Sequence, residues 1–409
     1  MKYVIIGSSA AGVNGARELR RLDKECEIVL ISKDRNIYSR CILHHYLGGA
    51  RDLEKLSFVE PDFVERYGIR WLKGRTCTGL DRKGKAVILD GGERVDYDKL
   101  LIASGSHTYL PPVPHLNEAV NVCGFRNIED MERLKEAAGE AREILVMGAG
   151  LVGLDCATGF LELGIKVTLV EMAGWLLNRQ LDKPSAGTYE KAFEEAGVRQ
   201  YYGVGIREVV LNDRKEITQA VLTDGRRLDC DYLVVTAGVR PNIEFLKDSG
   251  IETGPFGLLY DETGKTNDDC VYGAGDVSGA RPIWPAAVKE GIIAAANMAG
   301  EKRKMTDFFA SKAAMNFLGI PTMSLGNVNP KEGEAQAEIL RTENSYKKIV
   351  HKNGRIIGAV LQGDLAYGGI LQQLIARKIN ITKVKKPVFD IDYSDFFHMD
   401  ENFEYYYED

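Results

Sequence analysis

The chain has 409 residues, enough for two to four domains at roughly 100–200 residues each. Hydrophobic residues make up 44% and charged residues 27%, a globular composition, and a net charge of −6 speaks against nucleic acid as a partner. No apolar run approaches the roughly 18 residues of a membrane helix, and the run Tyr3-Val4-Ile5-Ile6 is too short for a signal peptide, so a cytoplasmic location away from membranes is expected.

The first elements in chain order are a strand over 2–7, a helix over 8–21 and a strand over 26–32. Both strands are continuous apolar runs, the pattern of a parallel sheet buried on both faces. Their turn reads Gly7-Ser8-Ser9-Ala10-Ala11-Gly12, a dinucleotide fingerprint with Ser9 in place of the middle glycine. Glycines there allow a tight turn and bring a helix N-terminus against a pyrophosphate. The acid expected about 20 residues on is missing. Ser32-Lys33-Asp34 stands there, leaving Asp34, or more weakly Ser32, to meet a ribose. A strand over 99–103 then runs through Ser104-Gly105 towards Leu110-Pro111-Pro112-Val113-Pro114, a stiff linker that marks a domain boundary.

The strand–turn–helix–strand pattern recurs at 143–148, 149–163 and 166–171. Here the fingerprint is complete, Gly148-Ala149-Gly150-Leu151-Val152-Gly153, and Glu171 ends the next strand 23 residues after Gly148. A carboxylate there accepts both ribose hydroxyls and repels a 2′-phosphate, which favours NAD over NADP. Two repeated βαβ units predict an α/β fold with two doubly wound dinucleotide-binding domains, followed by a C-terminal α+β domain. Further boundaries fall after Val239-Arg240-Pro241-Asn242 and at Glu301-Lys302-Arg303-Lys304. Strands over 346–351 and 355–361 and an amphipathic helix over 369–377 follow. The expected domains are 1–109, 110–239, 240–305 and 306–409. The seven cysteines are scattered, as reduced thiols are, and form no cluster suited to a metal centre.

A third motif, Val271-Tyr272-Gly273-Ala274-Gly275-Asp276, precedes an Ala-rich helix over 286–298. Together with Leu101-Ile102-Ala103-Ser104-Gly105 and Thr236-Ala237-Gly238-Val239-Arg240-Pro241, the ordered set resembles the two-dinucleotide flavoprotein (pyridine nucleotide-disulfide) reductase superfamily. The resemblance covers essentially the whole chain. It implies an FAD-binding domain split around an inserted NAD(P)H-binding domain, and a C-terminal interface domain that builds a homodimer. Asp276 then bonds the ribityl chain of FAD. The implied cofactor-binding residues are Gly7, Ser9, Ala10, Ala11, Gly12, Ser32, Lys33, Asp34, Arg40, Ala103, Ser104, Gly105, Gly148, Gly150, Leu151, Val152, Gly153, Glu171, Gly238, Gly275 and Asp276, with no metal ligands. The stretches 356–364 and 369–375 look like the C-terminal domain of NADH:rubredoxin reductases and are similar to the flavoprotein part of assimilatory nitrite reductases. The Cys-rich iron–sulfur and sirohaem regions of the nitrite enzymes are missing from this sequence, so nitrite reduction by this chain alone is not expected.

In related CoA-disulfide reductases and NADH oxidases or peroxidases, a redox cysteine occupies the position of Cys41; in rubredoxin reductases that position is usually proline. Cys41 is either a thiolate whose pKa is lowered by Arg40 and a helix N-terminus, or an inert small core residue. The resemblance also matches His45 and Asp155 to a Lys–Glu pair near flavin N5. A charged Asp155 would raise the His45 pKa and hold positive charge beside the reduced ring, unless both side chains are simply solvated. The expected activity is NADH oxidation with electrons passed through flavin to a small iron or iron–sulfur protein. The alternatives are a Cys41-dependent CoA-disulfide, persulfide or peroxide reductase or NADH oxidase, and the flavoprotein subunit of a larger redox complex. Residues 389–409 hold eight carboxylates, eight aromatic rings and no Lys or Arg. Such a tail docks a partner electrostatically, or packs its rings on the interface domain and leaves its acids in water.

Overall fold

Two parallel sheets organise the chain. The computed structural model describes residues 1–280, 282–306 and 312–407. They divide into two units, one of 1–111, 123–139 and 237–306, the other of 112–122, 140–236 and 307–409.

In the first unit the sheet order is Val271–Gly273, Lys99–Ile102, Lys2–Ile6, Glu27–Ser32, Ile69–Lys73, with every neighbouring pair parallel. Central strands of such a sheet have no solvent face, and Val4, Ile5, Val29, Leu30, Leu100 and Leu101 are fully buried. One face is covered by the helices Ala10–Leu22 and Trp284–Met298, packed closely enough that a Cβ on Gly291 would lie 2.2 Å from the Ala11 carbonyl oxygen. The other face is covered by an antiparallel meander, Cys77–Asp81, Ala86–Leu89 and Arg94–Asp96.

The second unit repeats the design with sheet order Arg199–Tyr202, Lys166–Glu171, Glu143–Met147, Tyr232–Val235, Val122–Cys123. Its meander is Ile206–Leu211, Ile217–Leu222 and Arg227–Asp229. A five-stranded antiparallel sheet follows, ordered Lys312–Phe317, Ile320–Gly326, Arg355–Gln362, Tyr346–Lys352, Gln336–Arg341, with helix Gly368–Ala376 packed on it through Leu371 and Leu374. The predicted elements appear within one or two residues of their expected ends.

Residues 123–139 group with the first unit, and the C-terminal residues group with 140–236. Linkers announce where a chain leaves a domain, whereas a brief return such as 123–139 is held by long-range packing without a composition signal of its own. The tail forms a hairpin of Phe397–Met399 and Tyr405–Tyr407, with Phe397 and Phe403 exposed. Its last two residues lie outside the described residues. Among the described residues no helix is long and apolar enough to cross a membrane.

Candidate functional site

The first glycine turn is shaped by backbone contact. Gly7 has φ +113°, and a Cβ there would lie 2.0 Å from the Ala103 carbonyl oxygen; one on Gly12 would lie 1.8 Å from the Gly7 oxygen. The middle position is different. Ser9 sits at φ −102°, ψ −163°, and its counterpart Gly150 at φ −81°, ψ −174°, extended backbone that any residue adopts. This is why a serine stands there without breaking the turn.

Above this turn the first unit opens a cavity of about 470 Å³. It gathers Gly7, Ser9, Ala10, Ala11, Ser32, Lys33, Asp34, Arg40, Cys41, Ala103, Ser104, Gly105, Gly275 and Asp276, contributed by the ends of four parallel strands and their loops. Gly12 lies outside the lining and acts beneath it, by letting the helix start against Gly7. Residues without a local motif join them: Ser106, Arg126 and Trp284. Asp276 accepts hydrogen bonds from Arg126 at 2.5 Å and Ser106 at 3.3 Å, and Arg126 also donates to the Ser106 hydroxyl at 2.7 Å. Arg126 was missed because it sits in the 123–139 return; its charge alone distinguished it from no other arginine. Ser8 was passed over inside the fingerprint itself. Its hydroxyl is 4% exposed, lines the cavity and has no protein hydrogen-bond partner. A buried hydroxyl without a partner is costly. It fits a ligand oxygen, as do the close-approach glycines, so the residues present suit the pyrophosphate and ribityl parts of FAD.

On this wall the Asp34 carboxylate pairs with Arg40 at 2.7 Å and accepts from the Tyr38 hydroxyl at 3.0 Å. The Ser32 hydroxyl donates to the Asp34 carbonyl at 2.7 Å and accepts from Trp71 at 2.9 Å. The Arg40 guanidinium also lies 4.8 Å from the Tyr38 ring centroid. Cys41 is exposed in the three-residue helix Arg40–Ile42, too short to act as a helix N-terminus worth naming.

His45 lies in helix Leu43–Leu47, its ring centroid 4.0 Å from that of His44 with the planes tilted by 46°. Burial first, then His45 and Arg51, pull His44 down to about 4, so its imidazole is neutral near pH 7. Asp155 belongs to the second unit, on helix Leu151–Glu162. Burial pushes its carboxyl up to about 8. An acid raised in this way is largely protonated at neutral pH and then supplies a proton.

The second glycine turn is built like the first. Gly148 has φ +111°, and a Cβ on Gly153 would meet the Gly148 oxygen at 2.0 Å, while Gly150 faces open space. Thr236 donates to the Met147 and Gly148 carbonyls at 3.0 Å each, holding the turn from the next strand. Glu171 accepts from the backbone N–H of Ala149 at 2.8 Å with one oxygen and of Ala173 at 2.8 Å with the other. The carboxylate is fixed in place before any ribose arrives. Leu151 and Val152 open the helix, Val152 being 40% exposed. Gly238, with φ +115°, falls in the first unit, where its carbonyl accepts from the Tyr109 N–H at 3.0 Å. Among the described residues no group of three or more His, Cys, Asp or Glu is arranged to hold a metal.

Two dinucleotide turns, one beneath a cavity suited to FAD and one with a ribose-type acid, define a flavin- and pyridine-nucleotide-dependent oxidoreductase. Residues 1–291 match the pyridine nucleotide-disulphide oxidoreductase family, and 313–379 match the rubredoxin NAD+ reductase C-terminal domain. The chain belongs to the pyridine nucleotide-disulphide oxidoreductase family. It is 27% identical to "Nitrite reductase [NAD(P)H]" of Bacillus subtilis over 94% of its length, but spans only 48% of that protein. It is 29% identical to the "NADH-dependent phenylglyoxylate dehydrogenase subunit epsilon" of Aromatoleum evansii, covering 94% of this chain and 93% of that one. Among solved structures, an NAD-dependent persulfide reductase from A. fulgidus superposes with a TM-score of 0.84 at 25% identity, over 93% of this chain and 77% of that one.

Proposed function

We propose that the protein oxidises NADH and passes the electrons, one at a time, to a small soluble iron or iron–sulfur protein. FAD, held by the glycine turn, Ser8, Asp276 and Arg126, supplies the coupling between a hydride donor and single-electron acceptors. The chain's own residues do the positioning. Glu171 takes the adenosine ribose of NADH and disfavours the 2′-phosphate of NADPH. Arg126 and Ser106 hold the Asp276 carboxylate at the cavity wall. The observation that carries this reading is the match of 313–379 to the rubredoxin NAD+ reductase C-terminal domain.

A second reading is favoured by a specific observation: Cys41 is exposed on the cavity wall, and the persulfide reductase shares the fold. Anaerobic titration with NADH separates the two. One two-electron equivalent per FAD is expected to bleach the flavin fully, and Cys41→Ser is expected to keep at least about half the rate of rubredoxin reduction, since only peripheral packing changes. Two equivalents with a long-wavelength charge-transfer band after the first, and loss of activity in Cys41→Ser, would install the thiol chemistry instead. The similarity to a dehydrogenase subunit supports a third arrangement, a flavoprotein component that turns over slowly until its partner is added.

A further inference from the structure

The helix Trp284–Met298 is Ala-rich, yet it buries one acid: Glu290 is 7% exposed. A buried carboxylate is costly unless it accepts hydrogen bonds. Its Oε2 accepts from the backbone N–H of Gly275 at 2.8 Å and from the Tyr260 hydroxyl at 2.9 Å. Gly275 is buried, has φ +83°, and opens the one-turn helix Gly275–Ser278, whose N-cap residue Ala274 has no side-chain acceptor to offer. Glu290 therefore does from 15 residues away what a capping side chain does locally: it accepts from a first-turn amide that the helix itself leaves over. The next residue is Asp276, whose carboxylate reaches the cavity. Glu290 itself is not part of the cavity lining.

We propose that Glu290 is a positioning residue for the Gly275–Asp276 turn and thereby sets how tightly the chain holds FAD, a proposal that rests on the cavity being the FAD site. The carboxylate fixes Gly275, Gly275 fixes the direction of Asp276, and Tyr260 keeps the carboxylate aimed. What matters is an acceptor oxygen at this place, so Glu290→Gln preserves the function and Glu290→Leu removes it.

The test is FAD rebinding to apoprotein, followed by quenching of flavin fluorescence, with apoprotein melting recorded for each variant. Glu290→Gln is expected to bind within about threefold of the wild type, and Glu290→Leu to bind about tenfold or more weakly, the effect of a buried amide losing its acceptor. In an Asp276→Asn background, Glu290→Leu is expected to add less than about threefold, because both substitutions break one chain of contacts. Unchanged binding by Glu290→Leu, or losses that multiply in the double variant, would overturn the proposal. Hydrogen exchange at Gly275 in the wild-type apoprotein gives an answer that does not depend on any variant folding: protection without FAD is expected, and fast exchange refutes the role. Wild-type apoprotein that fails to bind FAD while Gly275 stays protected would count against the cavity reading and leave the Glu290 contact standing.

Discussion

Asp155 and Asp182 are both half-buried or buried acids of the second unit, and their surroundings drive them in opposite directions. Burial pushes Asp155 up to about 8. An acid whose folded-state pKa is raised stabilises the fold at low pH, and that contribution is lost as pH rises from the ordinary carboxylate range through about 8. Asp155→Asn should therefore raise the melting temperature only a little at about pH 5 and substantially more at about pH 8.5, by roughly 2–4 °C per kcal/mol recovered. The same variant mimics the protonated acid, so its rate of flavin reduction by NADH should lack the step near pH 8 that is expected of the wild type. A wild-type rate flat across that range would show that the proton on Asp155 does not matter to hydride transfer. Nothing near Asp155 in sequence announces this shift. Spacing placed the residue on the right helix, but an apolar environment is assembled only by folding.

At the scale of the element, the two glycine turns show which positions a fingerprint truly constrains. The first and last glycines are required because a Cβ would strike a carbonyl oxygen 1.8 to 2.0 Å away at Gly7, Gly12 and Gly153. The middle position has ordinary extended backbone, and Ser9 occupies it without strain. Gly12→Ala should push the helix off its strand and abolish FAD retention during purification, whereas Ser9→Gly should change FAD affinity by less than about threefold. Flavin content and rebinding measure both. Loss of FAD in Ser9→Gly would mean that the Ser9 hydroxyl, not merely its backbone, contacts the ligand. After the second strand the Asp34 carboxylate pairs with Arg40 and accepts from Tyr38, contacts between side chains that the local spacing does not rank.

Across the molecule, the second unit joins its parallel sheet to the C-terminal antiparallel sheet through one buried polar cluster. Asp182 caps the helix Lys183–Glu195, accepts from the Tyr346 hydroxyl at 2.6 Å and pairs with Lys348 at 3.0 Å, both partners coming from strand Tyr346–Lys352. Burial by itself would raise the Asp182 carboxyl, but the bonds from Ser185, Tyr346 and Lys348 outweigh it and hold it below the ordinary 3.8. This stability is present above that value and is lost as pH falls below it. Asp182→Ala strands a buried ammonium and should cost about 3–5 kcal/mol in denaturant unfolding at neutral pH. A loss below about 1 kcal/mol would show that Lys348 finds water or another partner at little cost.

Local sequence specified the two βαβ units and both glycine turns, because each depends on residues within about 25 positions of one another and on close backbone approach, and it singled out Glu171 by spacing and Asp276 by the family resemblance. Only the tertiary structure decided the rest. It brought Arg126 to Asp276 across 150 residues, paired Arg40 with Asp34, set the acceptor for Gly275 on a helix further along, and placed 123–139 with the first unit. Charges and buried polar groups choose partners by proximity in space and by the cost of leaving one unpaired, and neither quantity exists until the chain has folded.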